Sequence, residues 1–156
     1  MSNIIAIDPG LSGAFAILDK DTQVILHTQH MPTIRVGDRT ELDESAIVRF
    51  FKLYKPEHAF IESVHAIPIW GSTASFQLGM TYGFIRAILA CLEIPYTKIK
   101  PQAWKKALME GMSKDKGASI VRVKQLYPSI VLNLKKDHNI ADAILIGRYG
   151  IALKIL

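Results

Sequence analysis

A single cysteine, Cys91, stands among 156 residues, so no disulfide can close within the chain and a small disulfide-stapled scaffold is excluded. Its apolar neighbours predict a buried thiol in a reducing compartment. No charged-then-apolar leader opens the sequence, so secretion is not expected. Long apolar runs are missing too. The most apolar stretch, residues 84–92, is interrupted by Arg86, and no membrane partner is expected. There is no repeat, low-complexity segment or linker, so no domain boundary is placed and residues 1–156 are expected to form one domain. What is present is apolar content: at 49%, it suffices for one sizeable α/β core.

Charge is unevenly spread. The net value is +5, yet residues 1–93 carry seven Lys/Arg against ten Asp/Glu, whereas residues 94–156 carry twelve against four. A balance of −3 followed by +8 suggests either a C-terminal surface that meets a polyanion or a solubilising lysine coat.

Residues 3–7 form a short apolar run that ends at Asp8 and breaks at Pro9-Gly10, the pattern of a strand entering a turn. Residues 13–18 and 24–30 read as two further strands joined at Asp19-Lys20-Asp21. Residues 32–40 read as a polar loop. Leu42, Ile47, Val48, Phe51 and Leu53 recur at helical spacing over residues 41–54, and Pro56 stops that helix. Residues 58–61 form another buried strand, delivering Glu62 at its end. After an irregular loop over residues 63–71, Ser72 or Thr73 can cap a long helix to about Leu92, with Gly79 and Gly83 on one face. Residues 95–99 form a fifth strand. Pro101 suits the first turn of a short helix over residues 102–110. A basic loop, 111–117, a helix, 118–126, and a final helix, 140–153, complete the chain. The order implies an α/β fold, a mixed sheet with helices on its faces.

Asp8, Glu62 and Asp142 stand out. The first two end strands that ought to be buried, and the third lies in the first turns of the last helix. Carboxylates in such places incur desolvation unless positive charge offsets it. Brought together, they would suit a hard cation such as Mg²⁺. Each also has a structural alternative. Asp8 belongs to a good turn sequence, Glu62 is the polar end of a strand, and Asp142 is the third residue of a helix capped by Asn139.

Taken together and in chain order, the blocks resemble a known family. Ile5-Ala6-Ile7-Asp8-Pro9-Gly10-Leu11-Ser12-Gly13 resembles the first strand and turn of the RuvC family of Holliday-junction resolvases. Ile61-Glu62-Ser63-Val64 resembles its second acidic strand, and Ala141-Asp142-Ala143-Ile144-Leu145 its C-terminal acidic helix. Ser75-Phe76-Gln77-Leu78-Gly79 with Tyr82-Gly83, and Lys100-Pro101-Gln102-Ala103-Trp104-Lys105-Lys106, are similar to the phage and organellar branches. The resemblance implies a ribonuclease-H-like fold, with a mixed five-stranded sheet flanked by helices. It also implies an Mg²⁺-dependent endonuclease that resolves four-way junctions and other branched DNA as a homodimer. The expected location is cytoplasmic, at a nucleoid or in a phage-infected cell, or organellar.

The resemblance further implies two Mg²⁺ ions, with Mn²⁺ able to substitute, roughly 4 Å apart. Asp8 would bridge them, Glu62 would hold one, and Asp142 with a fourth ligand would hold the other. Where the family usually places that fourth ligand, an Asp three residues before the last carboxylate, this chain has Asn139. His138, one turn before Asp142, is the preferred candidate; Asn139 and Asp137 are the alternatives. Lys105 and Lys116 fall where the family carries basic residues important for cleavage. Lys98, Lys100, Lys106, Lys114, Lys124, Lys135 and Lys136 would grip backbone phosphates. Trp70 and His65, in the loop after Glu62, are candidates to stack on an opened base. Other readings are a nuclease for RNA–DNA hybrids, flaps or forks, and a junction-binding protein with a weakened site. An actin-like phosphotransferase also opens with Asp-Pro-Gly, but that fold repeats its core in two domains and this chain is too short.

Overall fold

The runs Ile4-Ile5-Ala6-Ile7 and Ala14-Phe15-Ala16-Ile17-Leu18 are wholly buried, and strands buried on both faces belong in the middle of a sheet. The computed structural model describes residues 2–65, 69 and 71–155. Its strands are β1 (Asn3–Asp8), β2 (Ala14–Asp19), β3 (Ile25–His30), β4 (Thr33–Val36), β5 (Arg39–Leu42), β6 (His58–Glu62) and β7 (Tyr96–Ile99). Its helices are α1 (Glu44–Tyr54), α2 (Ser72–Cys91), α3 (Pro101–Leu108), α4 (Ala118–Leu126) and α5 (His138–Ala152). Five strands form one sheet in the order β3-β2-β1-β6-β7. The pairs β1–β2 and β2–β3 are antiparallel, and β1–β6 and β6–β7 are parallel. The mixed five-stranded sheet flanked by helices is therefore present.

Alternation along the strands sorts the core into two layers. Ile5, Ile7, Phe15, Ile17, Ala59 and Ile61 face α1 and α2. Ile4, Ala6, Ala14, Ala16, Leu18 and Phe60 face α3, α4 and α5. On the second side α5 sits very close to the sheet. A Cβ at Gly147 would stand 2.8 Å from Leu18 Cδ1 and 2.9 Å from the Ala6 Cβ, and one at Gly150 would collide with the Phe60 ring. The glycines let α5 lie against β1 and β6 backbone-close.

Several local expectations need correction. Residues 32–40 are not a plain loop: β4 and β5 pair as an antiparallel hairpin, Thr33 opposite Leu42 and Val36 opposite Arg39. The turn at Gly37-Asp38 uses a positive φ of 60° at Gly37, which glycine supplies without strain. Leu42 belongs to this hairpin, so α1 begins at Glu44, where Asp43 accepts from the Ala46 N–H at 2.9 Å. The N-cap of α2 is Gly71, with no side-chain cap, in place of Ser72 or Thr73. Cys91 is exposed, not buried. The inward stripe of α2 is Thr81, Ile85, Ile88 and Leu89, and the helical period turns residue 91 away from it. Among the described residues no helix is long and apolar enough to cross a membrane.

Candidate active site

Strand alternation aims the carboxylates. Ile4 and Ala6 face α5, so Asp8, two residues further on, points to the same side; Phe60 does likewise for Glu62. Parallel pairing of Ile7 with Ile61 then makes Asp8 and Glu62 neighbours at the carboxyl ends of adjacent strands, the usual place for function in such sheets. α5 runs back over β1, with Gly147 above Ala6, and this carries Asp142 over the end that holds Asp8. The turn after β1 is tightly determined. Gly10 has φ 125°, the Gly13 N–H donates to the Gly10 carbonyl at 3.0 Å, and a Cβ at Gly13 would strike the Asp8 carbonyl. Only glycine allows that return.

The three half-buried carboxylates share one electrostatic environment. Burial holds Asp8 well above the ordinary carboxylate range; the Asp142 and Glu62 charges push it further, and Lys105 opposes them. Burial also raises Glu62, against the hydrogen bond from Trp104 and the Lys105 charge. Asp142 is raised by burial, with Ser119, Lys105 and His138 acting the other way. Such clustering of perturbed carboxyls is typical of functional sites.

The donor set suits a hard divalent cation. It is oxygen-rich, and Asp142 Oδ1 is buried with no hydrogen-bond partner, a costly condition that a cation would relieve. Among the described residues, however, no three His, Cys, Asp or Glu side chains stand close enough to chelate an ion as they are. The arrangement is a convergence of charge, not a finished cage.

His138, the first residue of α5, is close enough to influence Asp142. Its two rivals are engaged elsewhere. The Asn139 side-chain amide donates to the Ser12 carbonyl, tethering the turn after Asp8. Asp137 is the N-cap position of α5; it accepts from the Asn133 N–H at 2.7 Å and meets His30 Nε2 at 3.0 Å. The expected cap at Asn139 is therefore wrong. α5 starts two residues earlier, and Asp142 is its fifth residue.

Lys105 joins the cluster, acting on all three carboxylates. Lys116 lies exposed in the loop before α4 and is not among the charges acting on them. Lys98, Lys100, Lys106, Lys114, Lys135 and Lys136 are exposed, Lys124 is half-buried on α4, and His65 is exposed just beyond β6. Trp70 lies outside the described residues.

Sequence reasoning gave no role to Trp104. Its indole N–H donates to Glu62 Oε2 at 2.6 Å, from a ring only 1% exposed. The contact spans 42 positions of chain, so no local spacing announces it. The local signal is a tryptophan inside a short basic helix, next to Lys105.

The fold and the carboxylate-bearing strand ends together define a ribonuclease-H-like architecture. Among solved structures, RuvC of Thermus thermophilus in complex with a Holliday-junction substrate matches at a TM-score of 0.71 and 12% identity, covering 98% of this chain and 96% of that one. RuvC of Thermus thermophilus in a second structure matches at 0.70 and 14%, with the same coverage. The yeast mitochondrial Holliday-junction resolvase Ydc2 matches at 0.62 and 10%, covering 96% of this chain and 79% of that one. At these identities the likeness establishes the fold. No family model and no curated protein sequence matches the chain.

Proposed function

We propose that this chain is a structure-selective endodeoxyribonuclease that resolves Holliday junctions and other branched DNA by metal-assisted phosphodiester hydrolysis. The observation that carries this reading is the meeting of Asp8, Glu62 and Asp142 with Lys105 at one end of a RuvC-like sheet. Asp8, Glu62, Asp142 and His138 would hold Mg²⁺ or Mn²⁺, which when bound activates water and neutralises phosphate charge. Asp8 has the central place, since both other carboxylates act on it.

The remaining chemistry falls to the chain's own groups. Lys105 faces the carboxylates and would hold the scissile phosphate; Lys116 would approach it from the loop. Lys98, Lys100 and Lys106 on β7 and α3, Lys114 and Lys124 around α4, and Lys135 and Lys136 before α5 would grip the backbone without reading bases. His65 and Trp70 would meet an opened base beyond β6. Two matching cuts require two sites, which a C₂ dimer supplies. Supporting that, Phe76, Gly79, Met80 and Gly83 recur at i, i+3, i+4 and i+7 on α2. Phe76 and Met80 are 70% and 60% exposed, and a Cβ at either glycine would meet nothing within 4 Å.

The test is Mg²⁺-dependent cutting of a synthetic four-way junction, against linear duplex, flap and RNA–DNA hybrid of matched sequence. Paired nicks on the junction are expected. Preference for the hybrid or the flap would assign another nuclease, and tight junction binding without cutting would make this a binding protein.

A further inference from the structure

Trp104 reaches the carboxylate cluster from a position that carries no charge of its own. The side chain is almost completely buried between α3 and the layer containing Phe60, Ile99 and Ile144. A buried indole needs an acceptor for its single N–H, and here the acceptor is one specific oxygen, Glu62 Oε2, at 2.6 Å. That distance is at the short limit for an N–H donor. On the same ring, the Lys105 amine lies 5.3 Å from the centroid, within cation–π range. One rigid side chain therefore touches both an anionic and a cationic member of the cluster.

We propose that Trp104 is a positioning residue for the cation site, holding Glu62 by Oε2 so that Oε1 alone is offered to the metal, while its ring seats Lys105 beside the carboxylates. This rests on the nuclease reading and deepens it. Left free, a glutamate can rotate and present either or both of its oxygens. An outer donor fixes the orientation and removes that freedom before the ion arrives, the role that outer partners of metal ligands commonly play. Tryptophan does this without adding a competing ligand, since the indole is a donor only. The lysine gains as well: a flexible four-carbon stem is steadied over a fixed ring, at a position facing where a phosphate would lie.

The experiment uses the full chain labelled with ¹⁵N-tryptophan, which yields two indole signals, one from Trp70 and one from Trp104; Trp70→Phe assigns them. The Trp104 signal should lie downfield and exchange slowly with solvent, and Glu62→Ala should abolish both properties. Adding Mg²⁺ should move it with the same midpoint as Mg²⁺ binding measured by calorimetry, and it should remain protected at saturation. Trp104→Phe, which keeps the ring's bulk and loses the donor, should bind Mg²⁺ roughly tenfold more weakly and should regain much of its cutting rate at high Mg²⁺. A Trp104 signal unmoved through saturation overturns the proposal, as does loss of protection at saturation, which would mean that Glu62 leaves the indole to bind through both oxygens. A folded Trp104→Phe with parental Mg²⁺ affinity overturns it too. If that variant does not fold, the indole signal of the parent chain decides. Should the parent bind and cut junctions while Trp104 stays silent, the inference alone fails; should the parent bind no Mg²⁺, both fail together.

Discussion

The two faces of the central sheet are built from the same strands, yet they treat charge in opposite ways. Toward α1 and α2, the fully buried side chains of β1, β2 and β6 are apolar, and aromatic rings interlock there. The polar Asn3 and Asp19 come only at the far end of the layer, where the Asn3 amide donates to the Tyr54 carbonyl and Asp19 accepts from the Thr22 N–H. Phe15 lies 5.2 Å from Phe50 and 5.6 Å from Phe51, ring centre to ring centre. Toward α5 the same alternation starts with Ile4, Ala6 and Phe60 and then continues into Asp8 and Glu62, with Asp142 above them. Burial raises all three carboxyls, so this end of the layer is held against a cost. The first face follows the ordinary rule for stability through its packed centre. The other gathers three carboxylates at one end, and a local departure that the rest of a well-packed layer supports marks function more surely than exposure or surface charge does.

The sharpest way to break this contrast is Asp8→Asn. Loss of the central carboxylate should lower the cutting rate by more than about 100-fold, the upper end of what losing an outer partner of a metal ligand costs. Junction binding should be kept or tightened, because one charge that repels phosphate is gone. Gel-shift and cleavage assays on one junction measure both; substantial Mg²⁺-dependent cutting by this variant would remove Asp8 from the site. On the apolar face, Phe51→Ala should cost about 3–5 kcal/mol of stability, read by denaturant unfolding, while the rate per folded molecule stays at the parent's. A rate falling faster than the folded fraction would mean that the two faces are not separable.

Acid titration sharpens the same contrast with a smaller effect. A carboxyl whose folded pKa is raised binds its proton more tightly in the folded than in the unfolded chain. Its contribution to stability is full below the ordinary values, 3.8 for Asp and 4.5 for Glu, and is lost as pH rises through the higher folded value. Without metal, the protein should therefore lose stability as pH rises above those ordinary values, and Asp8→Asn should lose less. Melting curves across that range test it, and identical pH profiles for the two proteins would contradict it. Weaker still is the effect of the surface. Replacing Lys135 and Lys136 together by Ala should flatten the salt dependence of junction binding by about 1.8 in log–log slope, roughly 0.9 for each phosphate no longer neutralised. An unchanged slope would place these lysines off the DNA.

The contrast also explains which parts were legible in the chain. Strands β1, β2 and β6 are readable because burial on both faces demands unbroken apolar runs, and Asp8 and Glu62 are readable because they end those runs. The β4–β5 hairpin escaped because β4 is exposed throughout. Its alternation therefore carries no hydrophobic signal, although Gly37-Asp38 between two short β-prone segments was a turn signal to use. Cys91 misled because apolar neighbours in sequence are not neighbours on a helix. Trp104 and the Asn139–Ser12 tether depend on pairings across 42 and 127 positions, and these exist only once the sheet is assembled.

The finest division lies within two adjacent residues of α5. Asn139 spends its amide on the Ser12 carbonyl, whereas His138 is near enough to bear on Asp142. If His138 is the fourth ligand, His138→Ala should bind metal more than about tenfold more weakly, the lower end of what even an outer partner of a metal ligand costs. It should also cut slowly until metal is raised. Asn139→Ala should instead lose about 1 kcal/mol of stability, the usual worth of one hydrogen bond, with metal affinity near the parent's, since the tether acts on the turn and not on the ion. Helical period alone does not separate the two, because both positions can neighbour Asp142. Chemistry does: imidazole is the stronger donor, and Mn²⁺ accepts nitrogen more readily than Mg²⁺. The parent should then work particularly well with Mn²⁺, and His138→Ala should lose that preference while Asn139→Ala keeps it. Calorimetric titration of both ions into the three proteins measures this directly. A dead Asn139→Ala beside an active His138→Ala would transfer the role to the amide carbonyl, and would require Asn139 to let go of Ser12 when the ion binds.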